Sequence, residues 1–269
     1  MRRRHGPAEG SRGARRRLQQ LREHRRRGIF LLPSLLTTGN LFLGFLALVF
    51  TSQERFADAA IAVFVAMLLD ALDGRVARLT NTQTQFGVEF DSLADVVSFC
   101  VAPAFMLYAL VLGRLGRAAW LGAFLFVICG ALRLARFNVY SGVTDRRFFV
   151  GLPTPAAAGI VAATVLLVEQ RAALVWWQEY LIAAGTYVVG GLMVSTFRYW
   201  SFKEVDFARR HPVSVLLLVV LGVLIVATHP QWFLFALGSA YVVSGPARPL
   251  WARRREATGA AEKPPRDSH

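Results

Sequence analysis

Cysteine, acidic residues and zinc-type ligand clusters are scarce in this sequence. Only Cys100 and Cys129 occur among 269 residues, which excludes a disulfide framework. Both fall in apolar runs, where a thiol packs as a small hydrophobe and no oxidising compartment reaches it. There is no Cys-x-x-Cys and no His/Cys group at zinc spacing. Of the five histidines, His5, His24 and His269 lie in the tails, while His211 and His229 stand beside Pro212 and Pro230 at expected helix ends. Acids number 17 against 31 Lys and Arg, a net charge of +14. A cleavable signal is also lacking, because no short apolar core with a small-residue cleavage site follows the basic start.

Abundance lies elsewhere. The chain is 55% hydrophobic with mean hydropathy +0.42, too apolar for an ordinary soluble domain of such charge, and a polytopic membrane protein reconciles the two. The expected fold is all-α, with about eight transmembrane helices near 31–51, 56–79, 91–112, 118–138, 153–169, 175–197, 212–228 and 231–247. Lys and Arg accumulate in loops that stay cytoplasmic. With both termini inside, 27 of the 31 basic residues lie on the inner side, and only Arg55, Arg114, Arg117 and Arg171 fall outside. One helix too many or too few would destroy that asymmetry. Three parts follow: a basic cytoplasmic arm over 1–28, a membrane domain over 29–248 and a disordered tail over 249–269. The arm, with Arg triplets at 2–4, 15–17 and 25–27, suits anionic lipid head groups at about 1 kcal/mol per basic residue. The adjoining span makes nucleic acid the weaker partner.

Against this apolar background the stretch Asp70–Asp95, DALDGRVARLTNTQTQFGVEFDSLAD, is unusual. Asp70 and Asp73 are spaced i, i+3, and Asp91 and Asp95 i, i+4, so each pair shares one face of its own helix. Two such faces turned toward each other make a carboxylate cage. Acids near membrane depth are costly unless paired, hydrated or metal-bound, which marks a functional site. Asp70 follows Arg55 by enough helix, about 21 Å at 1.5 Å per residue, to sit in the cytoplasmic third of the bilayer. Asp58, at the outer end, needs only interfacial solvation.

Hard carboxylates without Cys or His favour Mg²⁺ or Mn²⁺ over zinc. Two such ions can clamp a diphosphate, and arginines beside them suit phosphate oxygens. The residues alone therefore point to a metal-dependent reaction on a diphosphate-bearing lipid at the cytoplasmic interface. Other polar groups gather at that face. Ser34, Thr37, Thr38 and Asn40 either bond their own helix carbonyls or reach toward the acids. Arg133, Arg136 and Asn138 close the fourth span, and Arg198, Tyr199 and Lys203 follow the sixth. These basic groups either snorkel to the interface or seat an anionic ligand.

Asp70-x-x-Asp73-Gly74-x-x-Ala77-Arg78, eight residues, then Gly87-x-x-x-Asp91-x-x-x-Asp95 resembles the signature of the CDP-alcohol phosphatidyltransferases at all eight positions and both gaps. The segments PSLLTTGNLFLGF, RLARFNV, GLPTPAAAG and MVSTFRYWSFK are similar to those of the family's serine branch in bacteria and archaea, with Ser34 where many relatives carry Asn. The resemblance implies transfer of the phosphatidyl group of CDP-diacylglycerol to L-serine, giving phosphatidylserine and CMP. It implies two metal ions held by Asp70, Asp73, Asp91 and Asp95, with Asp95 also the base. Gly74, Arg78 and Thr84, joined by Ser34, Thr37 and Asn40, would meet CDP-diacylglycerol, and Arg133, Arg136, Asn138 and Lys203 the acceptor. It further implies a homodimer in the inner (cytoplasmic) membrane. Glycerol 3-phosphate and inositol phosphate are the alternative acceptors within the family. Two other classes are weaker. An intramembrane prenyltransferase leaves Gly74, Ala77, Arg78 and Gly87 unexplained. A cation transporter tends to show repeated halves and a midplane site, whereas these acids occur once and near one face.

Overall fold

The computed structural model describes residues 34–80, 84–140, 148–170, 174–200 and 229–261. The arm over 1–28, the span expected over 212–228 and Lys203 lie outside them. Seven helices occur among the described residues: α1 Ser34–Ser52, α2 Phe56–Thr80, α3 Gln85–Leu110, α4 Arg117–Tyr140, α5 Thr154–Glu169, α6 Trp176–Val194 and α7 Pro230–Ala261. Three are long and apolar enough to cross a membrane: α1, α3 and α4. Helix α2 would join them but for Asp58, Asp70 and Asp73 in its 25 residues. The protein is a membrane protein built on helices.

Small residues hold the bundle together, as in membranes, where burying oil against oil gives little and close backbone approach gives much. Ala59, Ala60, Ala62 and Ala66 of α2 and Ala157, Ala158, Ala162 and Ala163 of α5 are all buried, and these two helices pack together. Helix α4 packs on α6 and α5 on α7. At the latter contact a Cβ on Gly238 would come within 3.0 Å of Ile160. Large apolar side chains such as Phe42, Phe45, Leu68, Phe124 and Leu132 instead point outward, the surface that lipid covers.

Helix α3 starts at Gln85, earlier than hydropathy predicts, because Thr84 caps it: the Thr84 hydroxyl accepts from the Gly87 N–H at 3.0 Å. Midway, Val96–Val101 widens into a π-turn in which the Ala102 N–H bonds the Val97 carbonyl. Pro103 follows directly. It cannot donate to Phe99 and its ring crowds that carbonyl, so the ladder loosens there.

The all-α expectation holds for the fold class, to which Phe148–Val150 (β1) and Arg198–Trp200 (β2) add one short antiparallel ribbon, Phe149 opposite Tyr199. Accordingly the sixth helix stops at Val194, not 197, and Ser195 turns extended. Gly151, with φ +80°, lies so close to the Met193 carbonyl that no Cβ fits. The Tyr199 hydroxyl donates to the Val242 carbonyl at 3.1 Å, which ties the ribbon to α7. Helix α7 continues to Ala261, past residue 249 where composition predicts the tail to begin.

Candidate active site

Helices α1, α2 and α3 meet where the acids lie. Gly39 of α1 sits against Leu69 of α2, where a Cβ would come within 3.0 Å of Leu69 Cδ1. Five residues on, Gly44 sits against Ser98 of α3, and a Cβ there would lie 2.7 Å from Ser98 Cα. These two glycines let α1 approach both acid-bearing helices.

Carboxylate oxygens of Asp70, Asp91 and Asp95 then fall within 4.8 Å of one another. Asp73 stands outside that group. It is buried, and its Oδ2 accepts the Thr37 hydroxyl. The structure thus groups three of the four expected ligands and gives the fourth to α1. Asp91 Oδ1 is buried without a hydrogen-bond partner, although such atoms are nearly always satisfied in native proteins. Three acids at this separation repel strongly, and an orphaned carboxylate oxygen among them fits a cation. An all-oxygen donor set fits Mg²⁺ or Mn²⁺.

At the start of α1, Thr38 simply bonds its own helix, donating to the Ser34 carbonyl at 2.7 Å. Ser34 itself is exposed. Thr37 reaches Asp73, and Asn40, fully buried, donates from Nδ2 to Asp95 Oδ1 at 3.0 Å. Asn40 also receives on its main-chain carbonyl the Ser98 hydroxyl at 2.9 Å. Ser98 and Gly44 carry no sequence signal for a site. They matter only because the helices touch there.

The basic groups divide. Arg133 donates from Nη1 to Thr154 Oγ1 at 3.1 Å, and its Nε is buried without a partner. It makes no ion pair within 4.0 Å with Asp95. Arg136 reaches the Val194 carbonyl at 3.4 Å, and Asn138 donates to Ser92 Oγ at 2.9 Å, beside Asp91. These two bonds join the end of α4 to α6 and α3. Gly74 is half-buried on α2. Arg78 lies on the same helix, with its side chain outside the described set. Asp58 pairs with Arg55 at 2.7 Å on the exposed α1–α2 turn, remote in sequence from the cluster.

Comparison with known proteins agrees with the acid pattern. Residues 30–190 match the family model described as CDP-alcohol phosphatidyltransferase. A relative from Helicobacter pylori, named CDP-diacylglycerol–serine O-phosphatidyltransferase, is 40% identical over 223 residues, covering 83% of this chain and 92% of that protein. A Methanocaldococcus jannaschii protein of the same name is 35% identical over 195 residues, 72% of this chain and 86% of its own. A Bacillus subtilis one is 33% identical over 173 residues, 64% and 92% respectively.

Proposed function

We propose a function that starts from one premise: the chain belongs to the CDP-alcohol phosphatidyltransferase family, and so is a transferase of phospholipid biosynthesis. It transfers the phosphatidyl group of CDP-diacylglycerol to L-serine, releasing CMP. Family membership supplies the donor and the reaction, and the names of the relatives supply the acceptor. The observation that carries the mechanism is the convergence of Asp70, Asp91 and Asp95 oxygens within 4.8 Å.

Asp70, Asp91 and Asp95, with Asp73 beside them, would hold two Mg²⁺ or Mn²⁺ ions. When bound, these neutralise the diphosphate and stabilise the departing CMP. Asp95 takes the proton of the serine hydroxyl, and that oxygen attacks the phosphorus bearing the diacylglycerol. The new O–P bond forms as the bridging P–O bond to CMP breaks. Gly74, Arg78, Thr84 and Ser34 meet the CDP-diacylglycerol head group, with Thr37 holding Asp73 next to it. Arg133 offers the acceptor's carboxylate its free Nε donor, and Arg136, Asn138 and Lys203 complete the acceptor side.

Eight spans with both termini cytoplasmic place this chemistry at the inner face of the cytoplasmic membrane, where serine and CDP-diacylglycerol meet. The basic arm rests on anionic head groups, and the enzyme works as a homodimer. The test is CMP release by purified protein from CDP-diacylglycerol with serine, glycerol 3-phosphate or inositol phosphate offered separately. Only serine is expected to support substantial release. Comparable rates with glycerol 3-phosphate would remove the serine assignment and leave the family intact.

A further inference from the structure

Asn40 is buried to zero exposure inside a membrane helix, an expensive place for a carboxamide unless its bonds serve something. Among the described residues its side chain makes one hydrogen bond, Nδ2 to Asp95 Oδ1 at 3.0 Å, while Oδ1 has no partner. The direction of that bond follows from chemistry, since a carboxylate accepts and the amide nitrogen donates. Its backbone is held as well: Ser98, one turn past Asp95 on α3, donates to the Asn40 carbonyl at 2.9 Å. Residue 40 is therefore pinned to α3 at two points one turn apart, and Gly44 permits the approach by leaving no Cβ against Ser98.

A bond to one oxygen of a carboxylate fixes the rotation of the whole group and so decides which lone pair the substrate meets. We propose that Asn40 is the positioning residue of Asp95, holding that carboxylate in the orientation from which it takes the acceptor's proton, and that it does not itself grip CDP-diacylglycerol. This rests on Asp95 being the base. It replaces the expectation, drawn from resemblance, that Asn40 meets the lipid nucleotide.

The test is steady-state kinetics on full-length protein in mixed micelles, comparing wild type, Asn40→Ala, Ser98→Ala, Asp95→Asn and the double variant Asn40→Ala/Asp95→Asn. Asn40→Ala should lower kcat by about 10²-fold, the usual effect of misplacing a reacting group by an ångström, with KM for CDP-diacylglycerol within about twofold of wild type. Ser98→Ala, which leaves both side chains of the pair intact, should shift kcat in the same direction by less. It also keeps the question open to measurement if Asn40→Ala does not fold. In the double variant the residual rate should equal that of Asp95→Asn alone, because a residue acting through Asp95 has nothing left to position. A raised KM with unchanged kcat for Asn40→Ala, or losses that multiply in the double variant, would overturn the proposal. Near-normal turnover by Asp95→Asn would instead remove the base assignment beneath it, so the two failures are distinguishable.

Discussion

Substituting Gly44 by Ala adds one methyl group remote from every reacting atom, yet it should cripple turnover. The new Cβ would lie 2.7 Å from Ser98 Cα and 2.9 Å from Ser98 Cβ. Carbon atoms rest about 3.5–4.0 Å apart, so α1 and α3 must separate by about 1 Å at this point. Asn40 is one turn away on the same helix and shares the displacement. Its bonds to Asp95 and Ser98, at 3.0 and 2.9 Å, have no slack for that and pass beyond hydrogen-bonding range. The expected loss in kcat is about 10²-fold, with overpacking lowering stability by ~1–3 kcal/mol. Gly185→Ala in α6 is the matched control, because a Cβ there meets nothing within 4 Å and Ala improves helix propensity. Both variants are compared by CMP release at saturating serine and CDP-diacylglycerol, alongside thermal unfolding in detergent. Equal kcat for Gly44→Ala and Gly185→Ala would refute the argument that close α1–α3 packing sets the geometry of the acids.

Three further predictions come from the same helices. EDTA should abolish turnover and Mg²⁺ or Mn²⁺ restore it; Asp91→Asn should raise the metal concentration needed for half-maximal rate more than Asp73→Asn does, because Asp73 lies outside the 4.8 Å group and is held by Thr37. Equal shifts for both variants, read from metal titrations, would place Asp73 among the ligands on the same footing. Thr84→Ala removes the α3 cap and should cost about 1 kcal/mol of stability. A rise in KM for CDP-diacylglycerol beyond that destabilisation would show that the hydroxyl also meets substrate, and an unchanged KM would confine Thr84 to the cap.

The placement of the acids was legible because helical periodicity is local. Asp70 with Asp73, and Asp91 with Asp95, share a face by spacing alone, and their cost in an apolar chain announces a site. What spacing does not carry is how neighbouring helices are rotated against each other. That rotation brings Asp70 to Asp91 and Asp95 and turns Asp73 toward Thr37. Hydropathy located α1, α2, α4 and α5 well but started α3 late, since the polar turn capped by Thr84 is helical without being apolar. It also ran the sixth helix three residues past Val194, up to the start of β2, because so short a run as Ser195–Phe197 reads alike as helix or strand. Ser98, Gly44 and Thr154 are small or neutral residues whose importance exists only at contacts.

The spacing of Thr37 and Asn40 on α1 deserves a physical reason. They are i, i+3 on one helix, yet each binds an acid from a different partner, Asp73 of α2 and Asp95 of α3. Two ionised carboxylates about 5 Å apart repel by ~3 kcal/mol at an effective dielectric constant of 20, a force that drives α2 and α3 apart. A hydrogen bond to a charged group returns ~1.5–3 kcal/mol, so the two donors of α1 offset the repulsion of roughly one pair and tie both acid helices to a common third. They do not offset the mutual repulsion of Asp70, Asp91 and Asp95 together, of which Asp91 retains an unpartnered oxygen. The cluster is thus held in shape by α1 and left short of positive charge at its centre, the condition that favours divalent cations and, with them, a diphosphate.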